Sequence, residues 1–363
     1  MSKFSINNPA FLSMAGNVLS NSGVGTFYIE AIEDNTTISF IFQPFTSIST
    51  DDIEYVSAPD SKVLNAGEKI FIKFDTITEM TGSNPFTVDK EFNAGGNCPI
   101  LNFVVDMDGE TMSAYLPIIF SSSLIKDASN MVIDIESKTL TRGLSFKNCD
   151  KLILPPKLTA KTLSAKVYYE MFKGCTSLTT APELPATTLA GNCYKSMFEG
   201  CTSLTTAPEL PATTLAESCY LSMFRGCTSL TIAPGLPATT LAGYCYEMMF
   251  EGCTSLTTAP ELPATILAEC CYNAMFERCA LLTTAPELPA TILTDYCYKS
   301  MFAQCTKLVK ITCLSTTNNA TDATDDWVYG VSPTGTFIKA AGVEWTTGVD
   351  GIPEGWTAQE YAG

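Results

Sequence analysis

Across its 363 residues the chain is 46% hydrophobic and 16% charged, which excludes global disorder and leaves room for two or three packed units. The net charge of −17 is carried by the ends, −10 over residues 1–144 and −6 over 313–363, while 145–312 is nearly neutral. No basic stripe and no histidine are present, so nucleic acid and anionic lipid drop out as expected partners, and Ser-His-Asp, Cys-His and His-metal chemistry drop out as expected activities.

The N-terminal stretch MSKFSINNPAFLSMAGNVLSNSG carries one Lys and a short apolar run broken by Ser, Gly and Asn. It reads as a poor signal peptide, with an amphipathic helix near 9–20 as the plain alternative. No segment is long enough to span a bilayer as an apolar helix, so membrane insertion is not expected. Residues 1–25 are assigned to an arm or anchor.

From 26 to 144 the pattern changes to alternation. GTFYIEAIE, TTISFIFQP, DIEYVSA and EKIFIKFD alternate apolar with polar residues between Asp, Asn, Gly and Pro clusters. This predicts a small antiparallel sandwich or roll, with NCPILNFVVDMDGE leading onward. Asp106-Met107-Asp108-Gly109-Glu110 gathers three carboxylates but misses the D-x-D-x-D-G spacing of a calcium loop, so a charged hairpin tip is expected. The β region should hide the open edge of the segment that begins near 145.

That segment is a repeat. CTSLTTAPELPATTLA occupies 175–190 and returns letter for letter at 201–216. Met171, Met197, Met223, Met249, Met275 and Met301 are spaced by 26, as are Cys175, Cys201, Cys227, Cys253, Cys279 and Cys305. A degenerate first copy starts near 145, with Phe146 and Cys149. A fixed period of this kind predicts a solenoid in which each 26-mer is one coil and repeated residues touch their equivalents one coil on. Cys193, Tyr194, Met197, Phe198 and Cys201 follow i, i+1, i+4, i+5, i+8 spacing, which predicts a two-turn helix with the variable positions in water. Leu178-Thr179-Thr180-Ala181 predicts a short parallel strand, ended by Pro182. The fifteen cysteines include no C-x-x-C pair and fall mostly in two repeat columns, so they read as reduced, structural thiols, with inter-turn disulfides as the alternative.

The string MFKGCTSLTTAPELPATTLA resembles the BspA-like leucine-rich repeat family, over about 145–312. GTFIKAAGVEWTTGVDGIPEGWT resembles the segment that commonly comes after such repeats. Members occur in surface proteins of gut Bacteroidetes and in phages of those bacteria. The resemblance implies a right-handed leucine-rich-repeat coil and a binding role, and it supplies no catalytic residues. The expected fold is therefore an N-terminal all-β domain (26–144), an α/β leucine-rich-repeat solenoid (145–312) and a small C-terminal cap (313–363). In that cap, Asn318 to Asp322 should start a helix that carries Trp327 and Tyr329 and stops at Gly330. Trp345 and Trp356 should cover the last coil.

Two surfaces are candidate binding faces. The first is the variable helix face, with Leu221, Arg225, Tyr244, Glu247, Met248, Asn273, Tyr296 and Lys299. The second is the hydroxyl column Thr179, Thr205, Thr231, Thr257 and Thr283. Glu183, Glu209, Glu261 and Glu287 form a further column, read as a solvated turn. The expected function is non-enzymatic attachment, without cofactor or metal. A phage virion fibre or decoration protein is the first reading, with residues 1–125 contacting other virion proteins and the solenoid facing a host protein or glycan. An exported bacterial surface adhesin is the alternative, and homo-oligomerisation stays open.

Overall fold

The computed structural model describes residues 28–40, 46–49, 56–57, 61–74, 86–88, 90–97, 100–107, 110–117, 125–133, 135, 145–317 and 320–362. The amphipathic stretch expected at 9–20 lies outside these, as do Asp108, Gly109, Asn318 and Asn319.

The alternating segments form strands. They are β1 (Tyr28–Ala31), β2 (Thr36–Phe40), β3 (Thr46–Ser49), β4 (Val56–Ser57), β5 (Ser61–Leu64), β6 (Lys69–Phe74), β7 (Phe86–Val88) and β8 (Phe92–Asn97). Strands β9 (Ile100–Met107) and β10 (Glu110–Pro117) pair with each other, flanking the acidic Asp106–Glu110 segment. After β11 (Ile125–Ile133), the first coil contributes β12 (Lys157–Leu158). A three-stranded sheet has the order β5-β2-β7, and a seven-stranded sheet has the order β12-β11-β8-β1-β6-β3-β4.

The expected antiparallel roll is corrected here, because the larger sheet is mixed. Strand β11 runs parallel to both β8 and β12. The N–H of Ile153 donates to Lys126 O, and that of Thr159 to Ile133 O, so β11 lies along the edge of the first coil. Ala128, Met131 and Ile133 are fully buried in the same core as Phe146 and Leu152. An open parallel edge is thus paired rather than exposed.

The coils stack as the period requires. Every Met of the Met171–Met301 column, and Leu178, Leu204, Leu230, Leu256, Leu282 and Leu308, is 0% exposed. The rings of Phe146, Phe172, Phe198, Phe224, Phe250, Phe276 and Phe302 succeed one another at 5.5–5.9 Å. Tyr168, Tyr194, Tyr220, Tyr246, Tyr272 and Tyr298 form a second file at 5.7–6.1 Å. Such offset pairs add about 0.5–1.5 kcal/mol each beyond the burial of their area.

The helix expected in each coil is absent, and with it the α/β solenoid. No helix occurs among the described residues. The segment 166–175 is a ribbon of turns whose N–H groups alternate in destination. Tyr168, Glu170, Phe172 and Gly174 donate across to Cys193, Lys195, Met197 and Glu199 O of the next coil. Tyr169, Met171, Lys173 and Cys175 donate back three residues, to Lys166, Tyr168, Glu170 and Phe172 O. Half of the donors are therefore committed sideways and cannot close i→i−4 bonds. Every fourth residue is left-handed: Asn192 (φ 58°), Ser196 (φ 54°) and Gly200 (φ 75°) in one coil, and Ser218, Ser222 and Gly226 in the next. Packing geometry favours this ribbon. Side-by-side helices need about 8–10 Å, whereas paired backbones need about 4.8 Å. A turn ribbon lets both sides of the coil advance by nearly the same step.

The opposite side is less regular than the expected strand. Thr180↔Thr206, Thr206↔Ile232 and Ile232↔Thr258 are single parallel bridges, because the prolines just beyond them remove donors on each coil. Full strands appear only late, as β13 (Thr284–Leu288), β14 (Lys310–Cys313), β15 (Thr336–Lys339) and β16 (Thr357–Glu360), a four-stranded parallel sheet in that order.

That sheet shows that residues 320–339 continue the coil. Ile311 pairs with Phe337 26 residues on, and Asp322, Asp326 and Gly330 are left-handed where Tyr296, Ser300 and Gln304 are. The helix expected to end at Gly330 is a run of turns as well. Trp327 takes the place of Met in the column, while Ala323 and Thr324 replace the Cys and Tyr beside it. Its ring stacks 6.3 Å from Tyr298 and 5.6 Å from Trp345, and its Nε1 donates to Gly351 O at 2.9 Å. Trp345 and Trp356 are 8% and 9% exposed, packed over this last coil.

Candidate functional site

The chemistry-bearing groups of the coil are mostly turned inward. All fourteen described cysteines are buried. In the column Cys175, Cys201, Cys227, Cys253, Cys279 and Cys305 each Sγ donates to the Phe carbonyl of the preceding coil, at 3.0–3.1 Å. The same carbonyl accepts the N–H of the Cys in its own coil, as Phe172 O does from Cys175. A small donor that fits a closed interior is what this position requires, and thiol supplies it. Burial pushes Cys175, Cys193 and Cys253 up to about 12, opposite to an activated nucleophile. Among the described residues no three Cys, Asp or Glu side chains are grouped to hold a metal, and no helix is long and apolar enough to cross a membrane.

The first candidate surface lies on the turn ribbon, and most of its polar members are engaged with neighbouring coils. Arg225 reaches Glu251 at 2.7 Å and Glu199 at 4.0 Å. Lys173 bridges Glu170 at 3.1 Å and Glu199 at 2.9 Å, Lys147 holds Glu170 at 2.6 Å, and Arg278 meets Glu251 at 3.1 Å and Glu277 at 3.2 Å. Lys173, Glu199, Arg225 and Glu251 are successive members of one repeat column, so charge alternates as a ladder over these four coils, while Lys147 before them and Glu277 after them repeat the sign of their neighbour. Burial pulls the Lys173 ammonium down, but hydrogen bonds to Glu199 and Glu170 outweigh it and leave it raised. The hydrogen bond that Arg225 donates to Glu251 leads in raising the guanidinium.

The remaining members behave alike. Asn273 Nδ2 donates to Glu247 at 3.1 Å, and burial holds the Glu247 carboxyl above its ordinary range. Tyr244 donates to Glu269 at 3.1 Å, a bond that pushes the phenol up to about 12. Lys299 pairs with Asp325 at 2.8 Å and sits 5.7 Å from the Tyr296 ring centre. Leu221 and Met248 are half-buried, and Ser196, Ser222 and Ala274 are buried. The expectation that the variable positions point freely into water is therefore corrected. The turn ribbon, left-handed at every fourth residue, presses them against the neighbouring coils.

The second candidate surface is different. Thr179, Thr205, Thr231, Thr257 and Thr283 are all exposed, as are Thr180, Thr206, Thr258 and Thr284 beside them. Thr231 bonds through both N and Oγ1 to Thr205 O, which fixes the spacing between coils. Glu183, Glu209, Glu261 and Glu287 are exposed on the adjoining turn. Ile232 is 64% exposed, in the same row as Thr180. The charge ladder was not among the expectations. Its signal was present as the order Lys, Glu, Arg, Glu at positions 173, 199, 225 and 251.

No family model matches the chain, and no curated protein matches it.

Proposed function

We propose that this chain is a non-enzymatic attachment protein whose coils hold a regular hydroxyl-bearing face towards a cell-surface protein or glycan of a host. The observation that carries this reading is the exposure of Thr179, Thr205, Thr231, Thr257 and Thr283, one per coil, on a backbone hydrogen-bonded from coil to coil. A surface ordered before contact loses little conformational freedom on binding. The turn face is the weaker candidate because its polar groups already have partners. Residues 1–125 would anchor the protein to other virion proteins in a phage fibre or decoration role. An exported bacterial adhesin is the second reading, favoured by the likeness of MFKGCTSLTTAPELPATTLA to surface-protein repeats.

Whole-cell and glycan-array binding by the full chain tests the proposal. Thr205→Lys, Thr231→Lys and Thr257→Lys combined should weaken binding at least tenfold, and Tyr296→Ala should leave it unchanged. The reverse result moves the site to the turn ribbon, and absence of binding to any cell or glycan rejects the attachment role. Detection of the protein on purified particles or in the cell envelope separates the two settings.

A further inference from the structure

The parallel sheet ends at β16, and among the described residues nothing pairs with its outer edge. Thr357 N donates to Gly335 O and Tyr361 N to Lys339 O, so these residues face β15. In a parallel ladder the intervening residues point the other way. The N–H and C=O groups of Ala358 and Glu360 are thus directed outward, and all four residues of β16 are exposed.

Two further observations define what fits there. In the register column Ile311, Phe337, Ala358 the first two are fully buried and the last is exposed, so Ala358 ends the column as a small apolar side chain in solvent. The stretch of sequence that carries β16 is acidic, and Glu360 lies on the edge strand itself. Residues 313–363 hold seven carboxylates and one cation, Lys339, which is already bound to Val343 O and lies 4.0 Å from Glu344. Pairing with a second copy would bring two such acidic ends together, an unfavourable contact.

We propose that the outer edge of β16 is a docking site for an extended, Lys- or Arg-rich segment of a partner protein, which adds a strand and lays an apolar side chain over Ala358. Main-chain bonds to Ala358 and Glu360 supply the pairing, and the acidic stretch selects the basic partner. This edge ends the sheet that begins beside Thr283, three strands on, and the pairing proposed uses none of the Thr179 to Thr283 side chains.

The test uses the full chain and a fluorescein-labelled peptide, KVKVKVK, with EVEVEVE as control, read by fluorescence anisotropy. Ala358→Pro removes one outward donor and leaves the bonds of Thr357 and Tyr361 to β15 in place. KVKVKVK should bind, EVEVEVE should not, and Ala358→Pro should weaken binding at least tenfold with an unchanged circular dichroism spectrum. Hydrogen exchange on the unsubstituted chain gives an independent reading: the amides of Ala358 and Glu360 should gain protection when KVKVKVK is added. Binding that survives Ala358→Pro within twofold, or that leaves both amides unprotected, reduces the effect to general attraction by acid and overturns the proposal. A dimer abolished by Ala358→Pro in sedimentation would also overturn it, by assigning the edge to a second copy.

Discussion

Arg225 Nε lies 2.7 Å from the carboxylate of Glu251, its equivalent one coil on. Glu251 is 6% exposed and also receives Arg278, so one nearly buried acid ties three coils together. Glu251→Gln should cost about 2 kcal/mol, since hydrogen bonds to charged groups are worth about 1.5–3 kcal/mol. Urea unfolding of the full chain measures it; a loss below about 0.5 kcal/mol would mean that solvent already screens the ladder.

Charge alternation makes the stack sensitive to how many coils are removed. Deleting residues 176–201 sets Lys173 beneath Arg225, whereas deleting 176–227 sets it beneath Glu251. Unit charges of like sign about 5 Å apart repel by roughly 0.8 kcal/mol in water. The shorter deletion should therefore gain stability as NaCl is raised, and the longer one should not. Identical salt responses would count against a ladder that acts between neighbours.

The turn ribbon depends on left-handed backbone at fixed places. Gly226 has φ 70°, and a Cβ there would meet only Gly200 atoms at 3.9 Å, an ordinary contact. Gly226→Ala should thus cost about 1 kcal/mol through backbone strain alone. Gly191→Ala, where φ is not left-handed and the nearest atom is 3.6 Å away, should be neutral or stabilising by about 0.5 kcal/mol. Equal effects at the two positions in thermal unfolding would argue against the ribbon.

Alkali should dismantle the stack. Burial raises Cys175, Cys193 and Cys253 from 9.0 to about 12, so each favours the folded state fully below pH 9 and loses that contribution between pH 9 and 12. Each such thiol removes about 1.4 kcal/mol per pH unit in that window. With two columns of them, near-ultraviolet circular dichroism of the Tyr file should collapse cooperatively between pH 9 and 11, under reducing conditions. Retention of the signal at pH 12, with thiolate absorbance fully developed, would contradict thiols buried in this way.

The 26-residue period, the stacked columns and the interior thiols were legible because identical letters recur where identical neighbours meet. The ribbon was not, although its trace was there. Cys193, Met197 and Cys201 recur every four residues, and an ideal helix would drift from that by 0.4 residues per turn. Amphipathic spacing alone cannot tell the two apart over nine residues. The mixed sheet was hidden for another reason: alternation marks a strand but not its direction, so the parallel course of β11 beside the first coil could not be read. Residues beyond 312 had diverged enough in type, with Trp327 for Met, that their continuation of the coil became visible only from their backbone.

Each coil bonds its backbone to the one before and the one after, and the interior repeats without change across the identical stretches at 175–190 and 201–216. A tandem duplication of one unit in the gene would lengthen the rod by about 4.8 Å and leave both termini as they were. Reach is in that sense a quantity that can be inherited and adjusted separately from whatever the two ends hold.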